Sequence, residues 1–169
     1  MKFKKLGFVL CIAGLFLSFA CKKNQEPTPR TPEQEMEELD RVLTQKEEAG
    51  YDIDTTAMGV YYIIKQEGEG PLPQQGDTCV IEYRGFLPNG KLFDTSEDYH
   101  EDGLWEFPYR NPDIVPGLED GIGRMNKGSK IELYIPSHLA HGSAGTEIVP
   151  PYTTLIYFIE MHDLRPRNN

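Results

Sequence analysis

The stretch GKLFDTS, residues 90–96, places one carboxylate, Asp94, directly after an aromatic ring, Phe93. A carboxylate that does covalent chemistry needs company: a proton-transfer partner, a nucleophile with its base, or further ligands for a metal. No such set is spaced around Asp94. The chain has no GxSxG, HExxH, CxxC or phosphate loop. His138 and His141 lie three apart in SHLAHG, His100 and His162 stand elsewhere, and together they read as polar loop residues rather than metal ligands. Ser143 near His141 makes no catalytic pair. The chain is instead well supplied with rings: Tyr83, Phe93, Trp105, Phe107, Tyr157 and Phe158. Spread over several strands, such rings ordinarily make a core, so their order and spacing must decide whether they also make a site.

The elements that would carry them follow from residue pattern. MGVYYIIKQ, from residue 58, is rich in β-branched and aromatic residues and predicts a strand. GEGPLPQQGD is a loop by its Gly and Pro content. TCVIEYRGFL alternates and runs into Pro88-Asn89-Gly90, a hairpin signal, with KLFDTS as the returning strand. LWEFPY is a further short strand. IVPGLEDGIGRM, with Pro116 at its start and acids soon after, predicts a short helix. SKIELYIP and TTLIYFIEMHDL supply two more strands. The sum is α+β, an antiparallel sheet with one short helix. In CVIEYRG, Cys79, Ile81 and Tyr83 share one strand face, which makes Cys79 a small buried hydrophobe.

Upstream, the composition changes. The first 20 residues carry Lys2, Lys4 and Lys5, no acid, and an apolar run from Leu6 to Ala20 that ends just before Cys21. Fifteen apolar residues are short for a membrane span of roughly 20. The layout is that of a secretory signal, and a cysteine at its junction suggests lipidation at Cys21, although Ser18 holds a place usually given to Leu. Plain secretion and an uncleaved anchor are the alternatives. Residues 21–31, polar with Pro27 and Pro29, read as a lipidated tether. Residues 32–57 form an N-terminal helical extension: Thr31 is an N-cap, Pro32 the first helical residue, Met36, Leu39 and Leu43 an apolar stripe, and Gly50 a stop. That stripe is narrow enough for a helix lying on the domain or for a solvated spacer. Residues 58–169 are the folded domain.

With the signal removed, Cys79 is the one thiol left besides Cys21, so no internal disulfide is expected. The 17 basic residues fall to 14 against 27 acidic ones, a balance of about −13. Phosphate binding needs clustered Lys and Arg, so nucleic acid is excluded as a partner.

In order, VIEYRG, NGKLFDTS, WEF, IVPGLEDGI, GSKIELYIP, LAHG and IVPPYTTLIYFIE resemble the FKBP family of peptidyl-prolyl cis-trans isomerases over about residues 59–164. The resemblance implies an antiparallel half-barrel wrapped around one short α-helix. It implies an isomerase acting on proline-containing polypeptides, needing no cofactor and no metal, with macrolides of the FKBP class as possible inhibitors. Together with the signal, it implies a folding helper in the bacterial cell envelope, lipid-anchored at the outer membrane and facing the periplasm. The alternative is a non-catalytic FKBP-like chaperone or peptide-binding module.

The same resemblance assigns pocket residues. Tyr83, Phe93, Trp105, Leu118 and Tyr157 would wall the site, with Asp94 hydrogen-bonding ligand at the rim. Ile114 and Val115 match a pair whose second N–H binds a ligand carbonyl, and Val149, before Pro150-Pro151, matches a flap. Leu118 stands where the best-known members have tryptophan, and His141 replaces the tyrosine of AYG. HGSAGTEIVPP is one residue shorter than usual, and two extra residues lie between Phe93 and Trp105. Leu118 and His141 are the features that favour the non-catalytic alternative.

Overall fold

The structure is a computed structural model and describes residues 30–110 and 114–167. The leader, Cys21 and nearly all of the tether therefore lie outside the described residues. Among those described, no helix is long and apolar enough to cross a membrane.

Helix α1, Pro32–Glu48, opens as expected. Thr31 caps the Gln34 N–H, the Gln34 side chain returns the bond to the Thr31 N–H, and Pro32 occupies the first turn. The chain then leaves the helix through Gly50, whose φ of +86° suits glycine.

The sheet contains β1 Asp54–Thr55, β2 Tyr61–Gln66, β3 Thr78–Phe86, β4 Leu92–Thr95, β5 Trp105–Pro108, β6 Lys130–Ile135 and β7 Leu155–Arg165. All pairings are antiparallel, in the order β1-β2-β6-β7-β3-β4, with β5 also on β3. Pairing thus starts at Asp54, ahead of the apolar run that signalled the first strand. The β3–β4 turn closes through the Leu87 carbonyl, which accepts from the Gly90 N–H at 2.9 Å.

One face of the sheet curls around helix α2, Pro116–Ile122. Ile131, Leu133, Ile135, Tyr157, Ile159 and Met161 form the main core with Leu118 and Ile122 of that helix. The contact is close because of two glycines. A Cβ at Gly117 would lie 2.2 Å from Ile135 Cγ2, and one at Gly121 2.3 Å from Leu133 Cδ1. Cys79 is wholly buried in this core, and burial pushes its thiol up to about 12.

The other face is covered by α1, so the spacer reading does not hold. Leu39 packs with Ile63 and Tyr134, joined by Val42 and Leu43. Met36, expected in the stripe, is 51 % exposed, and Glu35 occupies the buried place beside it. Polar groups complete the docking. Glu132, on β6, accepts from Lys46 Nζ at 2.7 Å and from the Tyr134 hydroxyl at 2.6 Å. A strand that alternates apolar and polar is therefore buried on both faces.

Candidate functional site

Adjacent residues on a strand face opposite sides, yet Phe93 and Asp94 line the same cleft. The reason is a bulge. Asp94 pairs with Gly85, but Leu92 pairs with Phe86, so β4 carries one extra residue, Phe93. Such an insertion re-aims side chains at the edge of a sheet, and here it brings ring and carboxylate to one side. Gly85 completes the arrangement. A Cβ there would lie 2.9 Å from both Phe93 Cζ and Tyr157 Cε1, so both rings rest on bare backbone.

The cleft holds about 410 Å³, a size suited to a small ligand or a short peptide segment. Phe93, Asp94, Val115, His141, Val149 and Tyr157 line it. The remaining expected residues stand behind them. Tyr83 lies 5.9 Å from Tyr157 and edge-on to Trp105 at 5.7 Å. Trp105 in turn stacks on Phe107 at 4.3 Å. Ile114 and Leu118 are buried in the main core beneath.

Asp94 is positioned by two phenols. The Tyr83 hydroxyl donates to Oδ1 at 3.3 Å and the Tyr157 hydroxyl to Oδ2 at 3.4 Å. Burial raises the Asp94 carboxyl above its ordinary value, against the opposing effect of these hydrogen bonds. Both phenols are pushed up in turn, first by burial and then by the neighbouring carboxylate. They remain protonated donors across the ordinary pH range. Among the described residues the cleft lining has no serine, cysteine or lysine, and the hydroxyl of its threonine, Thr146, accepts from the Ile148 and Val149 N–H groups. The arrangement can hold an apolar segment and offer an acceptor to it, but it has no nucleophile activated for attack.

The far wall is a segment between β6 and β7. A one-turn 3-10 helix, Ser137–Leu139, leads to His141. Beyond it the Tyr152 N–H donates to the Gly142 carbonyl at 2.9 Å, and the Thr146 N–H to the Val149 carbonyl at 2.7 Å. Gly145, at φ +60°, lets the loop cross close to itself, since a Cβ would meet the Val149 oxygen at 2.5 Å.

Sequence reasoning missed Tyr99, Thr146, Glu147 and Ile148, which also line the cleft. Tyr99 belongs to the longer connection before Trp105 and is 69 % exposed. Its only signal was a lone ring in the acidic run SEDYHED. Gly85 was findable, since a glycine inside a strand marks a bulge or a close approach. The described residues also contain one His–carboxylate cluster, Glu82, Glu160 and His162, on the outer face of the sheet. Lys130 pairs with Glu160 and Arg84 with Glu82, which makes it a surface ion network.

Known proteins share this architecture. The crystal structure of FkpA from Escherichia coli aligns with a TM-score of 0.64 at 30 % identity, over 80 % of this chain and 63 % of that one. A peptidyl-prolyl cis-trans isomerase from Pseudomonas syringae aligns at 0.66 and 26 %, over 83 % of this chain and all of its own. In sequence, the Escherichia coli FKBP-type peptidyl-prolyl cis-trans isomerase FkpA is 36 % identical over 114 residues, 68 % of this chain and 41 % of that protein. A probable FKBP-type isomerase of Haemophilus influenzae is 32 % identical over 120 residues, 70 % and 48 % of the two chains. The chain thus spans less than half the length of these two curated relatives. Residues 70–162, more than half of the chain and including every residue of the cleft, match the family description itself. The chain belongs to the FKBP-type peptidyl-prolyl cis-trans isomerase family.

Proposed function

We propose that the protein is a peptidyl-prolyl cis-trans isomerase that assists folding of exported polypeptides in the bacterial cell envelope. The observation that carries this is the cleft walled by Phe93, Tyr157, Val115 and Val149 around one carboxylate held by two tyrosines. An X–Pro bond rotates over a barrier of roughly 18–20 kcal/mol without any covalent bond being made or broken. The planar imide is polar by resonance, and the twisted transition state less so. An apolar, ring-lined site therefore favours the transition state over the ground state.

In this reading the prolyl ring lies against Phe93 and Tyr157. Val115 is the N-cap of α2, and its carbonyl is taken by the Leu118 and Glu119 N–H groups. Its own N–H is assigned to a substrate carbonyl. Asp94 accepts a hydrogen bond from the bound segment and does not act as a base. Macrolides of the FKBP class are proposed to compete for the same cleft.

The test is a protease-coupled assay with short X-Pro peptides, apolar before proline. The purified protein is expected to accelerate cis-to-trans conversion at micromolar concentration. Equal rates with and without it refute catalysis, and peptide binding without acceleration marks a binding module instead.

We also propose the division read from the sequence: signal 1–20, lipidated tether 21–31, helical extension 32–57 and isomerase domain 58–169, with Cys21 anchoring the protein at the outer membrane, facing the periplasm. The junction cysteine after the apolar run supports it. Cys21→Ser is expected to abolish metabolic lipid labelling, and retained labelling refutes the anchor.

A further inference from the structure

The segment 137–154 supplies His141, Thr146, Glu147, Ile148 and Val149 to the cleft. It is long, it crosses between β6 and β7, and three of its lining residues, Thr146, Glu147 and Ile148, are exposed. Something must fix where it lies. Its internal bonds close the loop on itself but do not tie it to the sheet.

Leu139, Ala140 and Val149 pack the segment against the main core, but the hydrogen-bonded ties at its ends come from α1 and the residue before its cap, on the opposite face. Glu35 is 4 % exposed. Its Oε1 accepts from the Ser137 N–H at 2.6 Å and from the Thr154 hydroxyl at 3.0 Å, and its Oε2 accepts from the Ser137 hydroxyl. Ser137 and Thr154 are themselves buried, and they are the two ends of the segment. A third tie lies just inside the second end. Arg30 Nε donates to the Tyr152 carbonyl at 2.7 Å, while its guanidinium also pairs with Glu38.

A carboxylate this buried carries a desolvation cost that only its hydrogen bonds offset. Packing α1 on the sheet does not need it, because Leu39, Val42 and Leu43 already do that. What Glu35 adds is a bridge joining both ends of one segment through one side chain.

We propose that Glu35 is a positioning residue for the cleft: from α1 it clamps both ends of the 137–154 segment and so sets the wall that carries His141 and Val149. The functional half of this rests on the isomerase reading above; the clamp itself does not. The N-terminal helix is then part of the site's framework rather than a spacer before it.

Glu35→Gln separates positioning from charge. The amide oxygen can keep the bonds to the Ser137 N–H and Thr154 hydroxyl, and the amide N–H can donate to a Ser137 hydroxyl turned to accept. Glu35→Ala loses all three. Val60→Ala, a buried truncation in the main core rather than under α1, controls for general loss of stability.

The experiment measures amide hydrogen exchange over residues 138–152 together with kcat and KM for peptide isomerisation. Glu35→Ala is expected to speed exchange in that segment about tenfold and to lower kcat/KM several-fold, mainly through KM. Glu35→Gln is expected to stay within about twofold of wild type in both, and so is Val60→Ala. Thr154→Val, which removes one donor, is expected to speed the exchange by an intermediate amount and decides the matter where Glu35→Ala does not fold. Wild-type exchange in Glu35→Ala, or in Thr154→Val should Glu35→Ala not fold, overturns the clamp, as does equal loosening by Val60→Ala. An inactive wild type refutes the isomerase reading alone, because the exchange data still decide the clamp.

Discussion

Gly85→Ala puts the smallest possible probe under the two rings of the cleft. The new Cβ would stand 2.9 Å from Phe93 Cζ and 2.9 Å from Tyr157 Cε1. Carbon atoms rest about 3.5–4.0 Å apart, so the rings must retreat by about 0.6–1.1 Å. Tyr157 cannot: it is 2 % exposed and held between Tyr83 and Phe93, whose ring lies edge-on at 5.6 Å. Phe93, half-buried on the edge strand β4, must give instead. Overpacking of this kind costs about 1–3 kcal/mol, a Tm loss of roughly 4–15 °C for a domain of this size. Misplacing a binding group by about 1 Å can cost on the order of 100-fold in rate, so kcat/KM is expected to fall tenfold or more. Phe93→Leu removes the ring carbons that the Cβ meets. The double variant should therefore recover stability relative to the sum of the single changes, with a coupling of about 0.5–3 kcal/mol. Thermal unfolding of all four proteins and the peptide assay measure both effects. A Gly85→Ala protein with wild-type Tm and wild-type rate, or a cycle with no coupling, refutes this account of the floor.

Further outcomes follow from burial and charge. Burial raises the Asp94 carboxyl above 3.8 in the folded protein, so its contribution to stability is full below that value and is lost as pH rises through the folded one. Asp94→Asn removes that loss: the stability difference between variant and wild type, from urea unfolding at about pH 4 to 7, should shift in the variant's favour as pH rises, and a pH-independent difference refutes it. The same variant should lower kcat/KM, and the wild-type profile should stay flat from about pH 6 to 8, whereas a general base would give a wild-type rate climbing with pH through its own pKa. Cys79, wholly buried with its thiol pushed up to about 12, should resist a thiol reagent in the native protein and react once urea unfolds it; rapid native labelling contradicts the packing. Leu39→Ala should cost about 2–5 kcal/mol, while Met36→Ala on the exposed side of α1 should cost little; the reverse order would mean that α1 docks by another face.

The strands on the concave side were legible because their signals are local. Pro88-Asn89-Gly90 announces the β3–β4 hairpin, Pro116 and the acids after it announce α2, and the alternation in β6 and β7 names the inward residues. The docking of α1 was only partly legible, with Leu39 and Leu43 named but Glu35 and Lys46 not, for a physical reason. Its buried face runs through Glu35, Leu39, Val42 and Lys46, and half of that set is charged. Hydrophobic spacing cannot find a face that is satisfied by hydrogen bonds to residues about 90 to 120 positions away. Glu132 was hidden likewise, since a charged residue on an alternating strand reads as solvent-facing until a lysine from another element covers it.

The cleft divides along the same line. Residue types named Phe93, Asp94 and Tyr157, but only the strand register shows how two neighbours in sequence reach one side. Trp105 illustrates the opposite limit. The resemblance made it a wall of the site, and it stands one layer back, between Tyr83 and Phe107. Its contribution then passes through Tyr83, whose hydroxyl it helps to aim at Asp94.

That geometry bears on how one carboxylate serves without a partner base. The three bonds to Glu35 carry a structural role and are short: two oxygens take three donors, with the N–H bond at 2.6 Å. The two bonds to Asp94 are longer, 3.3 and 3.4 Å, against about 2.5–2.7 Å for a strong hydroxyl–carboxylate bond. Each Asp94 oxygen therefore keeps acceptor capacity on its open side. The phenols hold the carboxylate in place and oppose the effect of burial on it, yet leave it able to accept one more donor from the cleft. A general base would need a proton to take. Here the neighbouring hydroxyls are pushed to give theirs up only far above neutral pH, and an X–Pro imide has no N–H to lose. In the proposed reading, the chemistry left to Asp94 is to hold a backbone donor beside the proline while the bond turns against Phe93 and Tyr157.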